Sequence, residues 1–212
     1  FEFTPSVLRT IVEPSKIKDI QVTHKEYLKN GTFIMGTVTD VDREYVYIKN
    51  KKIKYDFLAI CSGSNYSLPI KAHNIIETAR SDTLLKSYDS LLNAKKVMII
   101  GGGLVGVELA GEIATHYPDK ELLVITAVDK LIPRNKEKAI NYAEEFFKKN
   151  NIKLIRNEKV VSVKDNNCKT DKGNTYSFDL GFICTGIFPN YAFMTKNFKL
   201  SLDERNQIIV ND

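Results

Sequence analysis

The sequence predicts an α/β protein built on a parallel sheet, and three observations predict it. From Lys96 to Ile155, strand-like and helix-like stretches alternate strictly, the pattern of βαβ units whose strands run parallel. A glycine-rich turn, Gly101-Gly102-Gly103-Leu104-Val105-Gly106, joins the first of those strands directly to the first helix. On either side, short β-rich runs broken by polar turns cover residues 32–62 and 159–178, as meanders do.

Taken in chain order, Thr4 is expected to cap a helix with Pro5 at its first position, because Thr accepts a hydrogen bond from the first turn and Pro has no N–H to waste there. Val7, Leu8, Ile11 and Val12 give it one buried face, and Pro14 ends it. Over Thr32–Ser62 a β-meander is expected to deliver a final buried strand, Phe57–Cys61, with a hairpin turn in the basic run Lys49–Lys54. Ser64–Arg80, containing Pro69 and little periodicity, reads as a linker. Ser81 is expected to cap a second helix with Leu84, Leu85, Tyr88, Leu91 and Leu92 on one face. Strands at Lys96–Ile100, Leu122–Thr126 and Ile152–Ile155 then alternate with helices at Leu104–Tyr117 and Lys136–Asn150. The second meander should turn at Asn166-Asn167 and at Lys172-Gly173-Asn174, and Asp179–Thr185 should form one more strand before Gly186. Ile208–Val210 begins an element that the chain does not finish.

The bulk numbers exclude several classes. With 43% apolar and 27% charged residues among 212, the chain reads as ordinary globular protein. Its apolar runs are strand-sized, far below the roughly 20 residues of a membrane-spanning helix. The net charge of +5 comes from scattered lysines, without the basic groove and interleaved aromatics that nucleic acid requires. Cys61, Cys168 and Cys184 lie far apart and form no metal-ligand spacing with His24, His73 and His116. Cys61 and Cys184 end apolar strands and are expected to be small buried hydrophobes. Phe1-Glu2-Phe3 lacks an initiator Met, so residues upstream, with any targeting segment, are expected.

The glycine turn carries the chemistry. A dinucleotide's pyrophosphate is negative, and a helix N-terminus offers free backbone N–H groups and the positive end of its dipole. Gly101 permits the tight turn, Gly103 lets the backbone approach the phosphates, and Gly106 lets the helix pack on the sheet. A nicotinamide dinucleotide is the expected ligand, and the domain is expected to be Rossmann-like. NAD is usually held by an acid at the end of the next strand, and NADP by basic residues there. That strand ends in Thr126-Ala127-Val128-Asp129-Lys130, with Arg134 beyond. No carboxylate stands in the expected place, and Lys130 and Arg134 give a slight lean to NADPH. Glu108 and Glu112, four residues apart on the helix, present either a ligand to the nicotinamide end or a solvated carboxylate face.

The string from Gly101 to Glu112 resembles the nicotinamide motif of the FAD-dependent pyridine nucleotide-disulfide oxidoreductase family. Tyr55–Ser64 is similar to that family's FAD-touching Ala-Thr-Gly strand, departing from it with Cys-Ser-Gly. Leu180–Asn190, with Cys184-Thr185-Gly186, resembles the segment closing the nicotinamide domain, and Leu131–Arg134 the stretch after its second strand. The redox CxxxxC of the disulfide reductases is missing from the aligned Phe3–Arg9, and without it no dithiol relay runs. The Phe-Thr-Pro there and His116–Glu121 are similar to type II NADH dehydrogenases and, more closely, to the apoptosis-inducing-factor-homologue (ferroptosis-suppressor-type) quinone reductases.

The resemblance implies hydride transfer from NAD(P)H to FAD and on to a quinone-like acceptor, in a cytoplasmic or mitochondrial setting. It implies contacts to NAD(P)H from Gly101–Gly106, Glu108, Thr126, Ala127, Lys130, Arg134, Thr185 and Gly186. It implies contacts to FAD, in the intact parent, from Thr4, Pro5, Val38, Ser62, Gly63 and Ser64. Residues 1–80 correspond to part of a split FAD domain, 81–188 to the nicotinamide domain and 189–212 to the return segment. The family's FAD has its own glycine loop and a Gly-Asp motif, absent here, so this chain alone is expected to hold NAD(P)H and not FAD tightly. A flavin-free dehydrogenase and a non-catalytic NAD(P)H-binding module are the alternatives. The first would want a general acid near the nicotinamide, and His24 and His73 in loops and His116 at a helix end offer no such pattern.

Overall fold

In the computed structural model, residues 1–66, 69 and 77–210 are described. Helices and strands follow in chain order: α1 Val7–Val12, α2 His24–Tyr27, β1 Val38–Val41, β2 Tyr45–Ile48, β3 Lys51–Lys54, β4 Ser64–Asn65, α3 Glu77–Asn93, β5 Lys96–Ile100, α4 Leu104–His116, β6 Glu121–Ile125, α5 Glu137–Lys149, β7 Lys153–Ile155, β8 Val160–Lys164, β9 Asn167–Thr170, β10 Thr175–Ser177, β11 Leu180–Ile183 and β12 Phe188–Pro189. Two compact units form, one from Phe1–Thr23 with Tyr66–Gly186, the other from His24–Asn65 with Ile187–Asp212.

The first unit is Rossmann-like. A parallel sheet runs in the order β11-β5-β6-β7. Its central strand is apolar on both faces because both are covered, as parallel sheets require. Val97 and Ile99 of β5 join Leu109, Ile113, Ile140 and Phe147 of α4 and α5 in one core. Met98 and Ile100, with Ile125, face Cys168 and Phe178 of the β8-β9-β10 meander in a second core. The meander's first turn falls on Asp165-Asn166, both left-handed (φ 47° and 57°), one residue before the expected Asn166-Asn167. A two-residue turn of this kind matches the twist of the strands it joins. Gly173, at φ 82°, makes the second turn as expected.

The N-terminal segment packs on the same helical face. Thr4–Ser6 form a 3-10 turn and α1 continues from it; Phe3, not Thr4, stands at the cap position, and no side chain caps it. Val7 and Ile11 are fully buried with α3 and α4. Pro14 ends α1 but starts a second 3-10 helix, Pro14–Ile20, which buries Ile17 and Ile20. The helix α3 starts at Glu77, so Ser81 is interior and caps nothing. Of its expected face, Leu84 and Leu91 are buried whereas Leu85 and Leu92 are exposed, because i,i+7 repeats one direction while their neighbours turn to solvent. Arg80 of α3 is buried in an ion pair with Glu2, 2.8 Å apart. Of the linker expected over 64–80, Ser64–Asn65 is strand and 77–80 is helix; residues 67–68 and 70–76, His73 included, lie outside the described residues.

The second unit holds the antiparallel sheet β1-β2-β3, turning at Lys49-Asn50 as expected. Asp42 organises its first turn: the N–H groups of Glu44 and Tyr45 and the Tyr47 hydroxyl all donate to its carboxylate. The strand expected at Phe57–Cys61 does not form. Phe57 is 96% exposed and Cys61 is exposed, not buried. Among the described residues no strand pairs with this segment, and apolar character alone does not make it a strand. In the same unit β4 pairs with β12, and Asn190 ties Ser62 and Gly63 by three hydrogen bonds. Among the described residues no helix is long and apolar enough to cross a membrane.

Candidate functional site

The first unit collects the dinucleotide candidates at the C-terminal ends of its parallel strands, where ligands of open α/β sheets bind. The glycine turn leaves β5, and its three outer glycines differ physically. A Cβ on Gly106 would stand 1.9 Å from the Gly101 carbonyl oxygen, so only glycine lets α4 start this close to the strand. Gly101 sits at φ 122°, and a Cβ there would stand 2.7 Å from the Cys184 carbonyl oxygen. A Cβ on Gly103 would meet nothing within 4 Å. Gly101 and Gly106 are thus dictated by backbone contacts, whereas Gly103 faces open space.

Gly103 is the N-cap of α4, in extended conformation and without a side-chain cap. The first intrahelical bond runs from Val107 N–H to Gly103 O at 3.0 Å. The N–H groups of Leu104, Val105 and Gly106 therefore have no intrahelical acceptor and concentrate positive partial charge at the turn. Gly103 and Leu104 are exposed, Val105 is half-buried, and Gly101, Gly102 and Gly106 are buried.

Neighbouring elements fix the turn. Gly101 N–H donates to Ile125 O of β6 at 2.8 Å, and Ile132 N–H donates to Gly102 O at 2.8 Å. Thr126, buried, abuts Gly102, where a Cβ would lie 2.9 Å from its own. Thr185 closes the far side, its methyl 3.1 Å from a Cβ on Gly101, and Gly186 turns away at φ 82°. The structure therefore brings together Gly101–Gly106, Thr126, Thr185 and Gly186. Ala127, Lys130 and Arg134 follow on an exposed loop. Lys130 is bound to Glu137 at 3.1 Å, which raises its pKa and removes it as a free cation. Arg134 has no ion pair among the described residues.

Glu108 lies exposed on α4, yet its carboxyl is held above its ordinary value by loss of hydration and then by repulsion from Glu112. Glu112 itself is engaged: Arg9 donates to it at 3.1 Å, linking α1 to α4. His116 ends α4, its ring Nδ1 2.8 Å from Glu112 O, and His24 opens α2 instead of lying in a loop. Cys184 is half-buried beside Gly101, and desolvation pushes its thiol up to about 12. Among the described residues no cluster could hold a metal ion. Thr4 and Pro5 belong to the first unit, and Val38, Ser62, Gly63 and Ser64 to the second.

Three contributors escape sequence reasoning. Ile132 is a β-branched residue at φ 39°, an unusual backbone for its type, and it holds the Gly102 carbonyl. Leu131, fully buried, packs against Gly102. Glu158, after β7, donates its N–H to Thr126 O at 3.1 Å. Only Leu131–Arg134 carried a signal, through resemblance; Glu158 carried none, because pairing between strand ends is invisible in a linear string.

Comparison with known proteins agrees with this architecture. The family model described as pyridine nucleotide-disulphide oxidoreductase matches residues 3–212. Apoptosis-inducing factor homolog B of Dictyostelium discoideum is 29% identical over 233 residues, covering 96% of this chain and 60% of that protein. Ferroptosis suppressor protein 1 of Xenopus tropicalis is 27% identical over 230 residues, covering 100% and 60%. The chain thus spans about 60% of the length of these curated relatives. Among solved structures, an engineered water-forming NADPH oxidase bound to NADPH matches in fold with a TM-score of 0.80 at 20% identity, over 100% of this chain and 51% of that one.

Proposed function

Because the chain belongs to the pyridine nucleotide-disulphide oxidoreductase family, we propose that it binds NAD(P)H at the Gly101–Gly106 turn. We propose further that it serves a flavin-dependent NAD(P)H oxidoreductase that reduces a quinone-like acceptor without a redox disulfide. The observation that carries this reading is the open space at Gly103, flanked by two glycines that backbone contacts dictate. A purely structural turn has no use for a bare third position, whereas a pyrophosphate does.

The chain's own groups would act as follows. The N–H groups of Leu104, Val105 and Gly106 bind the phosphates. Thr126 and the loop through Lys130 to Arg134 hold the adenosine end. Thr185, Gly186 and Glu108 orient the nicotinamide end. When bound, the dinucleotide supplies a hydride for FAD, and electrons pass from there to the acceptor. In the intact parent, Thr4, Pro5, Val38, Ser62, Gly63 and Ser64 would contact FAD, with residues 1–80 and 189–212 in the FAD domain and 81–188 in the nicotinamide domain.

The test is NADH-dependent reduction of menadione or ferricyanide by the full-length protein, with and without added FAD. Activity that needs flavin supports the proposal. Undiminished turnover after flavin is stripped points to direct dehydrogenation instead, and no turnover with flavin points to a binding module.

A further inference from the structure

We infer that Glu158 sets the choice between the two nicotinamide dinucleotides, favouring NADH over NADPH by placing a buried negative charge beside the loop that would hold the adenosine ribose. The inference rests on the dinucleotide reading of the glycine turn and goes beyond it in naming which dinucleotide and why.

The geometry is a relay of backbone contacts. Thr126 ends β6 and presses on Gly102. Its carbonyl accepts the Glu158 N–H at 3.1 Å, and the Val128 carbonyl accepts the Asn157 N–H at 3.2 Å. Asn157 reaches this position through a left-handed backbone, φ 57°. The turn after β7 therefore clamps the loop at Thr126 and Val128, and Glu158 stands one hydrogen bond from the residue that abuts the glycine turn.

The side chain is 8% exposed as a residue and fully engaged. Thr170 Oγ1 donates to it at 2.8 Å, Asn174 Nδ2 at 3.0 Å and the Tyr176 hydroxyl at 3.4 Å. These neutral donors hold its pKa below the ordinary value, the Thr170 bond first, with Lys172 adding a distant attraction. The carboxylate is thus ionised at neutral pH and makes no ion pair within 4 Å among the described residues. A charge in such a place is poorly screened.

Two of the nearby cations already have carboxylate partners. Lys130 is held by Glu137 and Arg156 by Glu144, both at 3.1 Å. The strand β6 offers no acid of its own at its end. The third strand's turn supplies the charge that the second strand lacks. A 2′-phosphate, bearing up to two negative charges, would add to the charge of Glu158, with Arg134 and Lys172 the nearby cations that make no ion pair among the described residues, whereas a 2′-hydroxyl is neutral.

Fluorescence titration of the protein with NADH and with NADPH, for wild type, Glu158→Gln and Glu158→Asp, decides the matter. Gln preserves size: its oxygen can accept from Asn174 while its NH2 donates to the Thr170 hydroxyl, which can turn to accept. Wild type is expected to bind NADH about tenfold tighter than NADPH, the order one partly buried charge exerts on another. Glu158→Gln should shrink that ratio severalfold by tightening NADPH, and Glu158→Asp should keep most of it. A purely structural role would weaken both ligands alike and leave the ratio unchanged, which overturns the inference. Wild-type protein that prefers NADPH overturns it too, whatever the variants do. Wild-type protein that binds neither ligand overturns the dinucleotide reading itself, a result separate from an unchanged ratio.

Discussion

At the scale of single residues, the glycines of the turn separate fold from function. Gly106→Ala forces a Cβ to 1.9 Å from a backbone oxygen, so helix or strand must move. It should cost roughly 2–3 kcal/mol or more, read as a lowered melting temperature. Gly103→Val places its Cβ in open space, with no protein atom within 4 Å, at φ −77°, which any residue adopts. Its stability should stay within about 1 kcal/mol of wild type, reflecting only a poorer cap, while NADH titration shows binding lost. A Gly103→Val protein with wild-type affinity would mean that no phosphate approaches there. The sequence already displayed the glycines, but not their division of labour, because spacing does not tell a carbonyl at 1.9 Å from empty space.

At the scale of elements, the parallel strands and the helices between them were legible to within a residue or two, since 3.6-residue and two-residue periodicities are strong over such lengths. Two elements were misread for identifiable reasons. Phe57–Cys61 has the composition of a buried strand yet pairs with nothing among the described residues, because a strand is made by its neighbour. Ser81 looked like a cap, but a helix already begun at Glu77 runs through it. The join between α3 and the N-terminus is an ion pair that no pattern announces, Glu2 with Arg80, both buried. Breaking it takes the Glu2 carboxylate from a fully buried guanidinium. Glu2→Ala should therefore destabilise by about 3–5 kcal/mol, measured by urea unfolding, whereas removing the exposed partner of Glu13 and Glu112 with Arg9→Ala should cost far less. Equal losses would show that the buried pair is not what anchors the segment.

At the scale of the molecule, one unit holds the whole proposed nicotinamide site, gathered from the ends of β5, β6 and β11. Ligand that binds only the folded form stabilises it by mass action, so NADH at 100 times its Kd should add about 2.7 kcal/mol. Amide exchange should slow at residues 101–107, 126–132 and 185–186 together, and slowing at one stretch alone would contradict a shared site. The acceptor was not legible, because acceptors are chosen by surfaces rather than by a periodic pattern. The pairing of β11 with β5 has an effect in time as well as space. The Cys184 carbonyl and the Thr185 methyl that pack beside Gly101 emerge from the ribosome long after the glycines themselves, and such distant contacts are slow to close. During its own synthesis the protein therefore carries a glycine turn that has been made but not yet walled, and on the proposed reading cofactor capture would wait for the last strand of the sheet to arrive.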